Sequence, residues 1–202
     1  YEMGLIDKDT REMWLKNWKY CDFDMQLCDP ENEDFSETVC QIGYQFCNQV
    51  MFYPIFEYYP LINYYDIRGE CLVDGCYNVT NLNAFMNLPE VKERLDIPLD
   101  FEWKDCNDDV YFDLYWECSK DSTSLVAHLL DAGVRTLIYV GDQDLICNHI
   151  GVQDWVSSMN WTGSDAWSRT DSEVWSIGGM KAGDITSSGL LTLLKIKDSG
   201  HM

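Results

Sequence analysis

Asp144 and His201 are the residues whose types and settings could do chemistry. Each follows a short apolar run by a few positions. Thr136-Leu137-Ile138-Tyr139-Val140 leads into Gly141-Asp142-Gln143-Asp144, and Leu190 to Ile196 leads into Asp198-Ser199-Gly200-His201. If the two runs are neighbouring strands of an α/β sheet, their carboxyl ends bring both loops to one place, where such sheets gather working groups. A carboxylate accepting the Nδ1 proton of an imidazole fixes its tautomer and stabilises the imidazolium formed when Nε2 takes up a proton. The other two histidines read as structural. His128 sits in the apolar run Leu125–Leu130 of a helix, and His149 follows Cys147-Asn148 at a helix start.

Nine cysteines in 202 residues are the second chemical signal. The first four, Cys21, Cys28, Cys40 and Cys47, are spaced C-x6-C-x11-C-x6-C, and Cys71 and Cys76 form a short C-x4-C. Zinc competes for such spacing, but a second short pair or a His-x-His partner is missing, so disulfides in an oxidising compartment account better for the pattern. The first four can pair in three ways, all open at this level. The odd total leaves at least one cysteine free or bonded outside the chain. Asn78-Val79-Thr80 and Asn160-Trp161-Thr162 are N-glycosylation sequons, a frequency little above chance that adds weakly to a secretory reading.

These groups need elements to position them. Asp7 can cap a helix over about 8–19, with Met13, Trp14 and Trp18 on one face. A loop with acidic residues and Pro30 follows. Ser36 then starts a second helix whose Val39, Ile42, Phe46 and Val50 recur at helical spacing and would cover a core. Helical signals return at 82–86 and 89–95, where Pro89 suits a first turn, and again at 124–131 and 146–159. A helix, buried strand, helix, strand order over the last third is the pattern of an α/β sheet.

Composition narrows the partners. Apolar residues make up 46% of the chain, enough to bury a core. With 14 Lys and Arg against 35 Asp and Glu the net charge is −21, which argues against nucleic acid or an anionic membrane surface and suits an acidic compartment. No stretch approaches the length of a spanning apolar helix. Residues 1–7 lack the regions of a signal peptide, so the expectation is a chain processed upstream or a piece of something longer.

Asp before His is the chain order of the α/β-hydrolase triad, in which a serine comes first. Gly141-Asp142-Gln143-Asp144-Leu145-Ile146-Cys147-Asn148, preceded by Leu137-Ile138-Tyr139, resembles the acid segment of the serine carboxypeptidases, and Gly200-His201-Met202 resembles their histidine segment. Gly4-Leu5-Ile6-Asp7, Tyr65-Asp66-Ile67-Arg68 leading to Cys71, and Leu88-Pro89-Glu90-Val91 agree in order. The likeness is thinnest between residues 20 and 60. It implies an α/β fold: the C-terminal part of an α/β-hydrolase, with a helical, disulfide-bearing cap insertion over roughly 5–80 and the C-terminal half of the core over roughly 81–202.

By this resemblance the triad acid falls on Asp144, three residues before Cys147, rather than on Asp142, and the general base falls on His201. Cys147 matches a free cysteine beside the substrate pocket and Ile146 lines the same pocket. Tyr65, Tyr77 and Met202 match the leaving-group side. Cys106 resembles the cysteine that ties this half to the N-terminal half, while Cys118 has no counterpart. The family's nucleophile lies in a Gly-x-Ser-x-Gly elbow, and no such pattern occurs in this chain.

The implied protein is therefore a carboxypeptidase acting on peptides. Its serine would come from an N-terminal segment or partner chain, disulfide-linked through Cys106, and it would use no cofactor or metal. It would reside in a lysosome or vacuole, or be secreted. A family acyltransferase shares every residue seen here. An inactive protective or scaffold homologue is the reading from another class, and the presence of both Asp144 and His201 argues against it.

Overall fold

The computed structural model describes residues 5–26, 28, 35–73 and 75–202; side chains of residues 22–26 and Trp116 are outside that description. Gly4 of the Gly-Leu-Ile-Asp motif and most of the acidic loop around Pro30 lie outside the described residues. The chain forms two compact units, 1–60 with 73–120, and 61–72 with 121–202, which cut it at other positions than a division into 5–80 and 81–202.

The first unit is helical. Asp7 caps α1 (Lys8–Gln26) as expected, its Oδ1 accepting the Thr10 N–H at 2.8 Å, and those bonds hold its carboxyl below the usual range. The helix runs past residue 19 to Gln26. α2 (Glu37–Cys47) continues through a π-helical turn (Asn48–Phe52) into α3 (Tyr53–Tyr58).

The face expected to cover a core is the wrong one. Val39, Ile42 and Phe46 are exposed, whereas Cys40 and Gly43 are buried. The disulfides select the other face: Cys28–Cys40 and Cys21–Cys47 form a nested pair, each with Cα atoms 5.4 Å apart. Residues 40, 43 and 47 recur at helical spacing, so bonding two of them turns that stripe inward. Each closed loop stabilises by about 3 kcal/mol in the chain-entropy account. A 3-10 turn (Tyr115–Ser119) packs on α2, with Tyr44 and Tyr115 rings edge to face at 5.0 Å and the buried Ser119 hydroxyl donating to the Cys40 carbonyl at 3.2 Å.

Shorter helices complete the unit: α4 (Thr80–Met86), α5 (Pro89–Arg94) and α6 (Asp108–Asp113). Lys92 on α5 is buried with its ammonium donating to the carbonyls of Leu99 and Phe101. These bonds replace the water that burial removes. Cys71 and Cys76 are the remaining disulfide-bonded cysteines, while Cys106 and Cys118 are exposed free thiols.

The second unit is built on a sheet. It comprises α7 (Thr123–Asp131), β1 (Thr136–Gly141), α8 (His149–Ser158), α9 (Ser164–Trp167), β2 (Glu173–Ile177), β3 (Met180–Ser188) and β4 (Leu191–Ile196). The strand order is β1-β4-β3-β2. The two strands expected from the sequence are neighbours: β1 and β4 run parallel, in register from Thr136 opposite Leu191 to Gly141 opposite Ile196. The antiparallel β2–β3 hairpin was not expected. It turns on Gly178 and Gly179, whose φ values of +60° and +81° suit a two-residue turn.

Leu191, Leu193, Val156, Met159, Trp161 and Trp167 form the core between sheet and helices, with Ala127 and Leu130 from α7. β1 is buried on one face only: Val140 is buried and Ile138 half-buried, while Leu137 and Tyr139 are exposed. α8 begins at His149 rather than Ile146, because the Asn148 side chain caps it by accepting the Gly151 N–H at 2.9 Å. Among the described residues no helix is long and apolar enough to cross a membrane.

Candidate active site

Parallel pairing of β1 with β4 ends both strands at the same level, so the loops after Gly141 and Ile196 start side by side. Backbone bonds then tie them together. The Asp142 N–H donates to the Ile196 carbonyl at 3.0 Å and the Gln143 N–H to the Ser199 carbonyl at 2.9 Å. The contact tolerates no side chain at Gly141, where a Cβ would collide with the carbonyl oxygens of Ser199 and Gly200.

A third segment, residues 61–72, straps both loops. The Tyr64 carbonyl accepts from the Leu145 and Ile146 N–H groups at 3.2 and 3.0 Å, and the Ile67 N–H donates to the Gln143 carbonyl at 3.0 Å. The Tyr65 carbonyl accepts the His201 N–H at 2.8 Å. The strap is itself turned by Asn63, nearly buried, whose side-chain oxygen accepts the N–H groups of Tyr65 and Asp66 at 3.0 and 3.2 Å.

Asp144 and His201 meet in this frame. One Asp144 oxygen lies 2.8 Å from His201 Nδ1, and the other accepts the Cys147 N–H at 3.0 Å. The Asp144 side chain is 3% exposed and that of His201 36%. With the carboxylate on Nδ1, that nitrogen is the donor, which leaves Nε2 with a lone pair. The Tyr65 ring lies 5.2 Å from the imidazole, inclined at 43°. A buried carboxylate that holds an imidazole by one nitrogen leaves the other nitrogen to act as a general base.

The surrounding electrostatics have separate causes. Burial, then the Asp144 charge, pushes the Cys147 thiol pKa up. Hydrogen bonds from Arg68 hold the Asp66 carboxyl below its usual range. His149 is pushed down by burial and by Lys195, against an opposing pull from Asp142.

The other expected site residues divide. Cys147 lies in the turn after Asp144, and its sulfur, an Asp144 oxygen and a His201 ring nitrogen lie within 4.8 Å of one another. These three are the described residues that could share a cation, although the direct Nδ1–carboxylate contact occupies two of them. Ile146 and Met202 flank the pair and are exposed. Tyr77 belongs to the helical unit. Asn78 and Asn160 are both exposed, and the Thr162 hydroxyl donates to Asp131 at 2.7 Å. A cavity of about 630 Å³ lined by Gln153, Trp167, Glu173, Asp184 and Lys195 lies on the sheet, and neither Asp144 nor His201 lines it.

The sequence reading missed Asn63, the Asp66–Arg68 ion pair beside the histidine loop, and the close approach at Gly141. An Asn four residues before Ile67 and a glycine closing an apolar strand were the available signals.

Comparison with known proteins reaches the whole chain. A family model described as serine carboxypeptidase matches residues 1–202. A serine carboxypeptidase-like protein of Oryza sativa subsp. japonica is 34% identical over 202 residues, covering all of this chain and 46% of that protein. Serine carboxypeptidase 3 of Hordeum vulgare is 32% identical over 201 residues and 38% of its length. A serine carboxypeptidase-like protein of Pisum sativum is 30% identical over 68% of its length. The chain thus spans less than half of the first two relatives. Among solved structures, that of Kex1(delta)p, a prohormone-processing carboxypeptidase from Saccharomyces cerevisiae, superposes with a TM-score of 0.68 over 99% of this chain and 45% of that one, at 23% identity. That likeness establishes the fold: the C-terminal part of an α/β-hydrolase with a helical, disulfide-bearing cap insertion.

Proposed function

Because this chain belongs to the serine carboxypeptidase family, we propose that it supplies the acid and the base of a serine-type carboxypeptidase that removes C-terminal residues from peptides. The supporting observation is the 2.8 Å contact between His201 Nδ1 and the buried Asp144 carboxylate. Nε2 of His201 takes the proton of a serine hydroxyl as its oxygen attacks the scissile carbonyl. The same proton then passes to the leaving amine as the carbon–nitrogen bond breaks. A water molecule repeats the cycle in reverse, giving its proton to Nε2 and its hydroxyl to the acyl carbon, and the serine regains its proton. Asp144 stays ionised throughout, holding the ring in one tautomer.

The serine comes from a segment outside this sequence, in keeping with the absence of a Gly-x-Ser-x-Gly pattern from these 202 residues. Cys106, exposed and free within this chain, is the cysteine for a disulfide to that segment. Ile146, Cys147, Tyr65 and Met202, all of the sheet-bearing unit, contact substrate. The disulfides, the exposed Asn78 and Asn160 and the acidic composition support a glycosylated protein of the lysosome, the vacuole or the extracellular space.

The test is turnover of a blocked dipeptide by the complete protein carrying His201→Ala. Loss of activity by several orders of magnitude in kcat is expected, on the scale of triad removal. Near-normal turnover would reject the assignment.

A further inference from the structure

We propose that Arg68, forked onto Asp66, is a positioning residue that fixes the loop carrying His201. This rests on the reading of His201 as the base. Arg68 uses three nitrogens at once. Nε and Nη2 bind the two oxygens of Asp66, the first at 2.8 Å, and Nη1 donates to the Asp198 carbonyl at 2.7 Å. Asp66 is thus clamped to the third residue before His201.

The side chains are 48% and 24% exposed, so the ion pair by itself adds little to stability. Its geometry is what matters. Asp198 has φ +52°, a left-handed conformation that side chains other than glycine rarely adopt. Such a residue persists where its surroundings over-determine it, and the Arg68 bond holds the carbonyl of that same residue. Next along the loop, Gly200 packs against Asp66, where a Cβ would lie 2.8 Å from Asp66 Cβ. His201 then bonds the Tyr65 carbonyl. Residues 198, 200 and 201 are therefore each registered on residues 65–68. Asp144 fixes only the ring of His201, and the clamp fixes its backbone.

A bidentate fork with a third bond is an arginine property that lysine cannot copy. In the complete enzyme, Arg68→Ala and Asp66→Ala should each lower kcat by roughly 10- to 100-fold with KM within about twofold, the penalty of a misplaced catalytic group. The double variant should be no worse than the poorer single one, and Arg68→Lys should recover part of the loss. The low-field proton resonance of the His201 Nδ1–H, which reports its bond to Asp144, should broaden in Arg68→Ala while the thermal unfolding transition persists. If Arg68→Ala fails to fold, the Lys variant carries the test. Unchanged kcat and an unchanged resonance in a folded Arg68 variant overturn the proposal. His201→Ala, assayed alongside, separates the readings. If it kills turnover while Arg68 variants do not, only the clamp is wrong; if it does not, the base assignment fails first.

Discussion

Asp144 meets His201 through one oxygen only, at 2.8 Å from Nδ1, because its other oxygen is taken by the Cys147 N–H at 3.0 Å. The carboxylate is therefore held at both ends, by a turn on one side and by the imidazole on the other. Asp144→Asn keeps an acceptor for the Cys147 amide but can present an amide N–H to Nδ1, which favours the wrong tautomer. We expect kcat to fall by about 10⁴-fold, the scale of the matching change in a serine protease triad, with the unfolding temperature little altered. Steady-state kinetics on a blocked dipeptide decides it.

Cys147 should be a slow thiol. Its raised pKa, set by burial first and the Asp144 charge second, leaves less thiolate at any given pH than an ordinary cysteine has. Cys118 and Cys147 are both exposed, so the raised pKa alone should make iodoacetamide label Cys147 more slowly at pH 7, as followed by mass spectrometry. Asp144→Asn removes the second cause and should accelerate the labelling modestly. Faster labelling of Cys147 than of Cys118 in the unaltered protein would contradict this account.

Gly141→Ala should damage both fold and activity. The added methyl meets the Ser199 and Gly200 carbonyls, which are backbone and cannot swing aside. Overpacking of this kind costs about 1–3 kcal/mol, and the displaced loop carries His201. A lowered unfolding temperature together with a lost kcat is expected; a variant with normal values of both would show that the loops can part freely.

The Asp66–Arg68 clamp should survive mild acid. Asp66 has a depressed pKa in the folded protein, so its stabilisation is present above the ordinary aspartate value of about 3.9 and is lost as pH falls through the lower folded value. A carbon-13 carboxyl titration should place its midpoint below the ordinary range, and Arg68→Ala should move it upward. A midpoint at or above the ordinary value in the unaltered protein is the contrary result.

Tyr111 offers a second titration, in the helical unit. Burial and its neighbours Tyr115, Tyr44 and Cys118 push its pKa to about 12. Being raised, it contributes stability below the unfolded value of about 10 that is lost as pH climbs toward the folded value. Absorbance of ionised tyrosine should show a late component, absent from Tyr111→Phe.

The strands β1 and β4 and the residues Asp144 and His201 were legible in the sequence because apolar runs ended in glycine-bearing acid and histidine loops. Helix faces were less so. The periodicity of Val39, Ile42, Phe46 and Val50 pointed inward, but a nested disulfide pair outweighs that hydrophobic stripe, whose first three members are exposed. Strand β2 escaped notice because it buries little: within it only Trp175 is even half-buried. The motif at Tyr65–Arg68 was legible, but its bonding to the two site loops was not, for a different reason. Most of the strap's work is done by carbonyls and amides, which every residue has, with Asn63, Tyr65, Asp66 and Arg68 adding side-chain contacts.

That strap sets an order of events. The carbonyl of Tyr65 is synthesised 201 − 65 = 136 residues before the amide it will hold. At translation rates of about 5–20 residues per second, it waits on the order of ten seconds for its partner. For the last 201 − 144 = 57 residues of that interval the nascent polypeptide holds its acid without its base, so no proton relay between the two can operate until the ribosome has passed the histidine codon.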